Sequence, residues 1–257
     1  MFLHNMRKKL LLGNWKMNKL ASEAKEFAVA SKPLVDKAYH NKVDLGVAPT
    51  FMSLATVKKY ASKRMIVAAQ NVNFNDHGAF TGEVSIPMLK EFKIDWVIIG
   101  HSERRAYDNE TNEKCNLKIK ALFANDMIPV YCVGETLDQF EAGDTKKIVE
   151  EQVRVGIEGL SEDQVKKLVI AYEPVWSIGT GKNASTEIAE DICAFIRKVV
   201  KKMYGAKAAN KVRVLYGGSV KPENVKAYLS CPDVDGALVG GASLKIDSYE
   251  GLLNNIL

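Results

Sequence analysis

Short apolar runs punctuate the chain at near-regular intervals: LLLGN (10–14), VDLGVA (43–48), MIVAA (65–69), WVIIG (96–100), IPVYC (128–132), LVIAY (168–172), VRVLY (212–216) and GALVG (236–240). Each is rich in Val, Ile and Leu and lacks strict alternation, the pattern of parallel strands covered on both faces. Helical signals fill the gaps between them. From Thr186, read as an N-cap, Ile188, Ile192, Phe195, Ile196, Val199 and Met203 recur at three- and four-residue steps, and Gly205 supplies a stop. The segment from Thr136 towards Gly159 carries Leu137, Phe140, Ile148, Val149 and Val153 as one further apolar stripe. Eight strands alternating with helices predict an α/β, single-domain (β/α)8 barrel. A doubly wound open sheet would carry a glycine-rich fingerprint after its first strand, and GNWKMN stands there instead.

Composition narrows the function classes. The 257 residues are 47% hydrophobic and 26% charged, as in ordinary globular proteins. The net charge of +5 comes with lysines spread over many helix faces, so no basic stripe points to nucleic acid. A mild positive bias still favours a small anionic substrate. The cysteines Cys115, Cys132, Cys193 and Cys231 show no CxxC spacing, which argues against a disulfide framework or a zinc site and for reduced intracellular thiols. No run approaches the roughly eighteen apolar residues of a membrane span. MFLHNMRKKLLLGNWKMN has too short an apolar core for a signal peptide, so the expected location is cytoplasmic, with no membrane partner.

In a barrel, chemistry gathers at the C-terminal ends of the strands. The polar residues there are Asn14 and Lys16 after the first run, His101 after the fourth and Glu173 after the sixth. Gly217, Gly218 and Ser219 follow the seventh, and Gly240 and Gly241 the eighth. Paired glycines serve as tight turns, but also as loops whose backbone N–H groups cradle a phosphate. A strand-end lysine can be a surface charge, or can balance a bound dianion. His101, with Ser102 read as the N-cap of a short helix, would be held neutral by the helix dipole and could donate one hydrogen bond. Glu103 is placed to pair with Lys16, and Arg104 and Arg105 to form structural ion pairs. Glu173, closing a buried strand before the loop PVWSIGTGK, is the candidate base, with a pKa expected to rise on desolvation.

Taken in order, GNWKMN (13–18), GAFTGEVS (78–85), WVIIGHSERR (96–105), VYCVGETL (130–137), AYEPVWSIGTGK (171–182), LYGGSVKPENV (215–225) and DGALVGGASL (235–244) closely resemble the triosephosphate isomerase family, from about Lys8 to the C-terminus. The resemblance implies a TIM barrel that interconverts dihydroxyacetone phosphate and D-glyceraldehyde 3-phosphate in glycolysis and gluconeogenesis, without cofactor or metal. It implies Glu173 as the base, His101 as the neutral electrophile, and Asn14 and Lys16 as stabilisers of enediolate and phosphate. Backbone groups near Gly179, Ser219, Gly240 and Gly241 would hold the phosphate. Glu103 and Cys132 would support the site, the cysteine by packing.

The lid would comprise Pro174, Val175 and Trp176 as its stiff near hinge, then Ser177, Ile178, Gly179, Thr180, Gly181 and Lys182. Ile178 and Leu238 would close over Glu173 and dry it. The family is homodimeric, and Thr81 of GAFTGE would approach the partner's Asn14–Lys16 region; NVNFNDHGAFTGE, with Phe74 and Phe80, suits an interface in any case. Two departures stand out. Ser177 occupies a position where alanine is common. Met6 looks like an alternative start, so residues 1–5 are expected to be an upstream extension or a scar before a barrel domain at 6–257. Rival readings are a Schiff-base aldolase, an indole-forming barrel, or a catalytically silent scaffold. The aldolase needs a lysine on a central strand, which the eight runs lack, and the scaffold would not need all four polar residues.

Overall fold

The computed structural model describes residues 7–178, 180 and 183–257. Its strands are β1 (Lys9–Asn14), β2 (Val43–Ala48), β3 (Ile66–Ala69), β4 (Trp96–Ile99), β5 (Ile128–Val133), β6 (Val169–Tyr172), β7 (Arg213–Tyr216) and β8 (Gly236–Val239). Each pairs in parallel with the next, and β8 closes on β1 in the register Leu10↔Gly236 to Gly13↔Val239, so the sheet has no edge. The open-sheet alternative is therefore excluded. β1 begins one residue earlier than the apolar run, at Lys9, so one lysine does lie on a strand. It stands at the end of the barrel opposite the candidate site, where its Nζ donates to the Val234 carbonyl at 2.5 Å.

The lack of alternation in the strands has a simple cause. Leu10, Leu12, Ala48, Ala68, Ile98, Val130, Cys132, Val169, Ala171, Leu215 and Leu238 fill the barrel interior. Their strand neighbours Leu11, Val47, Val97, Ile99, Tyr131, Ile170 and Tyr172 face the surrounding helices in a second apolar layer. Both faces are dry, so both must be apolar. Burying a side chain such as Leu or Ile on either face contributes about 1.5–3 kcal/mol.

Two helical expectations need correction. The helix Thr186–Lys211 is capped by Ser185, whose side chain accepts the Ile188 N–H, so Thr186 is its first residue and not its N-cap. Gly205, at φ 83°, breaks that helix as expected, but helical turns resume beyond it as far as Lys211. The stripe from Thr136 is two helices, Leu137–Glu141 and Thr145–Ile157, split at Ala142–Asp144; Thr136 caps the first through a box with Gln139. Among the described residues, no helix is long and apolar enough to cross a membrane.

Candidate active site

Glu173 leaves the end of β6 and is 2% exposed. Its Oε1 lies 2.7 Å from His101 Nε2, and its Oε2 accepts the Ser102 N–H at 3.0 Å. His101 follows β4 and is itself the N-cap of the short helix Ser102–Tyr107, with Nδ1 accepting the Glu103 N–H at 3.2 Å. The expected cap, Ser102, is the first helical residue. Because Nδ1 is an acceptor here, the single ring proton of the neutral form sits on Nε2 and points at Glu173. Burial pulls the His101 pKa down, but the Glu173 carboxylate outweighs it, so the net shift is upward from 6.5. The shift runs against the direction expected from the helix dipole alone, because a carboxylate lies at contact distance.

Asn14 ends β1 and is almost fully buried; its Oδ1 accepts the Lys16 N–H at 3.0 Å. Lys16 sits in the left-handed region at φ 53°, where side chains other than glycine are uncommon. Gln70 fixes this turn by donating to the Lys16 carbonyl at 2.9 Å and the Ala48 carbonyl at 2.8 Å. The strained turn sends the Lys16 ammonium across the barrel mouth to Glu103 Oε1, 2.7 Å away, as the sequence suggested. The arginines divide. Arg104 forms ion pairs with Asp108 and Glu110, whereas Arg105 forms none among the described residues and instead donates to the carbonyls of Gly100 and Cys132, tying the turn after β4 to β5.

One cavity of about 220 Å³ gathers these groups: Asn14, Lys16, His101 and Glu173 share it with Ile178, Gly217, Gly218, Ser219, Leu238, Gly240 and Gly241. Both glycine-rich loops thus face the same space as the ammonium and the carboxylate. Ile178 and Leu238 supply its apolar wall. Cys132 lies beneath, in the barrel interior, where burial first and the Glu173 charge second push its thiol well above 9. It is held as a thiol, the form suited to packing and not to nucleophilic attack.

At the segment expected to be the near hinge, Pro174 is followed by one 3-10 turn, Val175–Ser177. Thr180 donates its hydroxyl to the Trp176 carbonyl at 3.0 Å. Gly179, Gly181 and Lys182, expected in the lid and at the phosphate, lie outside the described residues. Sequence reading missed the anchor of this turn. Glu135, fully buried, accepts at Oε1 from the Trp176 indole at 3.0 Å, the Tyr172 hydroxyl at 3.0 Å and the Thr145 hydroxyl at 3.2 Å. Trp176 also stacks on Phe140, with centroids 4.4 Å apart. The available signal was the carboxylate of VGETL directly after an apolar strand, the same position type as Glu173.

Thr81 is exposed on the loop after β3 and lines no part of its own chain's site cavity. The loop's base is tied by Asn73 N–H to Val84 carbonyl at 2.8 Å, and its tip presents Phe74 and Phe80 to solvent. A second cavity of about 440 Å³ opens beside the site between Lys16, Met17, Phe51, Gln70, Glu103 and Tyr107.

A closed eight-stranded barrel, with a carboxylate–imidazole pair facing two glycine-rich loops and an ammonium at its C-terminal mouth, defines a phosphate-handling barrel enzyme. Residues 9–256 match the family model described as Triosephosphate isomerase. A protein named Triosephosphate isomerase from Clostridium botulinum (strain Langeland) is 49% identical over 250 residues, which covers 97% of this chain and all of the relative. One of the same name from Streptococcus thermophilus (strain LMD-9) is 53% identical over 252 residues, 96% of this chain and 98% of the relative. The chain belongs to the triosephosphate isomerase family. Its reaction is that of an isomerase acting on a small phosphorylated triose, the interconversion of dihydroxyacetone phosphate and D-glyceraldehyde 3-phosphate in glycolysis.

Proposed function

We propose that Glu173 is the base of this isomerisation and that His101, Asn14 and Lys16 stabilise the charge it creates. The observation that carries the reading is that all four line one small cavity with both glycine-rich loops. Glu173 takes a proton from the carbon beside the substrate carbonyl, and the electron pair moves onto the carbonyl oxygen. His101 Nε2–H, the Lys16 ammonium and Asn14 stabilise that enediolate oxygen. His101 then relays a proton between the two oxygens, and Glu173 returns its proton to the neighbouring carbon. To do this, the carboxylate must first leave His101 Nε2 and the Ser102 N–H. Backbone groups near Ser219, Gly240 and Gly241 hold the phosphate. Glu103 orients Lys16, and Cys132 packs beneath Glu173.

The lid from Pro174 onward brings Ile178 to Leu238 over the base and excludes water, which strengthens every charge interaction inside. The working form is a homodimer in the cytoplasm, also serving gluconeogenesis, with Thr81 and its loop entering the partner's cavity beside Lys16. The apolar Met17, Phe51 and Tyr107 around that cavity and the exposed Phe74 and Phe80 on the loop support this pairing. A coupled isomerase assay on the parent beside Glu173→Gln tests the base assignment. A loss of several orders of magnitude is expected, since general base catalysis is typically worth ~10²–10⁴-fold. Equal rates would remove Glu173 from the mechanism.

A further inference from the structure

The last registered pair between β4 and β5 is Ile99↔Tyr131. Gly100, at φ 72°, then turns the chain out of β4 towards His101. The carbonyls of the two residues that would form the next pair, Gly100 and Cys132, both receive the Arg105 guanidinium: Nε donates to Gly100 at 2.7 Å and Nη2 to Cys132 at 3.0 Å. Gly100 lies against the guanidinium, since a Cβ there would meet Arg105 Nη2 at 3.0 Å. The side chain thus carries the β4–β5 connection one step beyond the registered ladder.

The remaining donors are aimed as well. Nη1 donates to Asn112 Oδ1 at 2.6 Å and Nη2 to the Tyr131 hydroxyl at 3.3 Å, whose own proton goes to the Gln152 carbonyl at 2.5 Å. No carboxylate among the described residues pairs with this cation, and its bonds all go to neutral oxygens. An ion pair would hold the guanidinium to one acid; its planar fork instead holds two backbone segments at a fixed spacing. Those segments belong to the candidate site. Gly100 precedes His101, and Val133, next to Cys132, accepts the Glu173 N–H at 2.7 Å. The groups proposed to hold the phosphate lie in the loops after β7 and β8, and Arg105 lines no part of their cavity.

We propose that Arg105 is a positioning residue whose fork across the Gly100 and Cys132 carbonyls sets the spacing between the turn that carries His101 and the strand end that carries Glu173. The proposal rests on the reading of those two residues as electrophile and base. Both must reach the same substrate, and a displacement of about 1 Å at a reacting group can cost ~10²-fold in rate. Lysine at this position would keep the charge, but a single ammonium on a flexible stem cannot hold both carbonyls in one fixed plane.

The test compares Arg105→Lys and Arg105→Ala with the parent on the full chain, reading kcat, KM, the inhibition constant of inorganic phosphate and the thermal midpoint. Arg105→Lys should lower kcat about tenfold or more while KM and the phosphate constant stay within about twofold, because orientation is lost and phosphate binding is not. Arg105→Ala should lose more, and millimolar guanidinium should restore part of its kcat where ammonium does not. A cavity of about 300 Å³ lined by Gly100, Arg105, Gly134 and Glu173 gives the added ion room to reach that position. A parental kcat in Arg105→Lys overturns the proposal, whatever the thermal midpoint does. So does a loss explained wholly by KM and phosphate affinity, or rescue by ammonium as complete as by guanidinium. If Arg105→Ala does not fold, the split between kcat and KM in Arg105→Lys still decides. Equal rates in the parent and Glu173→Gln would sink the base assignment instead, a failure that the Arg105 variants, with Glu173 intact, do not produce.

Discussion

His101 Nε2 and Glu173 Oε1 lie 2.7 Å apart, so in the ligand-free chain the candidate base is bonded to the candidate electrophile. Glu173 therefore bears on the proton affinity of His101. Burial alone would lower the His101 pKa; the Glu173 carboxylate raises it by charge and by hydrogen bond, and the net shift is upward. Glu173→Gln removes the charge and leaves the burial. The His101 ring should then titrate at a lower pH than in the parent, a change that imidazole ¹⁵N shifts would record. An unchanged titration would mean that Glu173 does not hold His101 in solution.

The same pair has a consequence for stability. The folded-state pKa of His101 lies above its ordinary 6.5, so the group's contribution is fully present below about pH 6.5 and is lost as pH rises through the folded value. Denaturant midpoints of the parent and of His101→Gln should therefore differ most near pH 6 and converge as pH rises through the folded pKa. A gap that is constant, or that widens as pH rises, contradicts this coupling.

Trp176 ties the proposed lid hinge to a buried carboxylate, and Glu135 would lose one of its three donors in Trp176→Phe. Leaving a buried charge short of a partner costs ~1–3 kcal/mol. Since the bond holds the Val175–Ser177 turn, the variant should loosen that turn. Its kcat/KM should fall less than tenfold, and thermal stability should drop measurably. A full-strength enzyme of parental stability would show that the indole bond contributes nothing.

Much of this architecture was legible in the chain because a barrel strand is dry on both faces. Ile98 faces inward and Val97 and Ile99 outward, so WVII reads as an unbroken apolar run and all eight runs mark strands. The strand-end polar residues converge because the barrel topology makes them converge. Partnerships across the fold were less legible. Nothing local in VGETL says that Glu135 receives the Trp176 indole, 41 residues away. Nothing in GHSERR distinguishes His101 from Ser102 as the cap, since both side chains carry an acceptor and only the backbone φ/ψ decides. The direction of the His101 shift depends on where Glu173 rests, which is a tertiary fact.

Thr81 and the loop that carries it bear on assembly. Thr81→Arg would place a long charge in the cavity beside Lys16 of the partner subunit in the proposed dimer. Sedimentation should then show less of the proposed dimer than in the parent at equal concentration, with activity falling alongside dimer content. A dimer of unchanged affinity would remove Thr81 from the interface.

Gly134, just past β5, approaches the end of β6 so closely that a Cβ there would overlap the Glu173 carbonyl oxygen. Gln152 clamps the same residue, accepting its N–H at 2.7 Å and donating to its carbonyl at 3.1 Å. The obstruction is backbone at the end of a paired strand, so it cannot yield by changing a rotamer. Gly134→Ala must push β5 and β6 apart where Glu173 begins, and overpacking of this kind typically costs ~1–3 kcal/mol. Because the displaced residue is the candidate base itself, kcat should fall with stability, in contrast to Gly143→Ala, where a Cβ meets nothing within 4 Å and only the backbone at φ 77° is strained. Equal kcat values in the two variants, measured well below their thermal midpoints, would show that the Gly134 contact does not position Glu173.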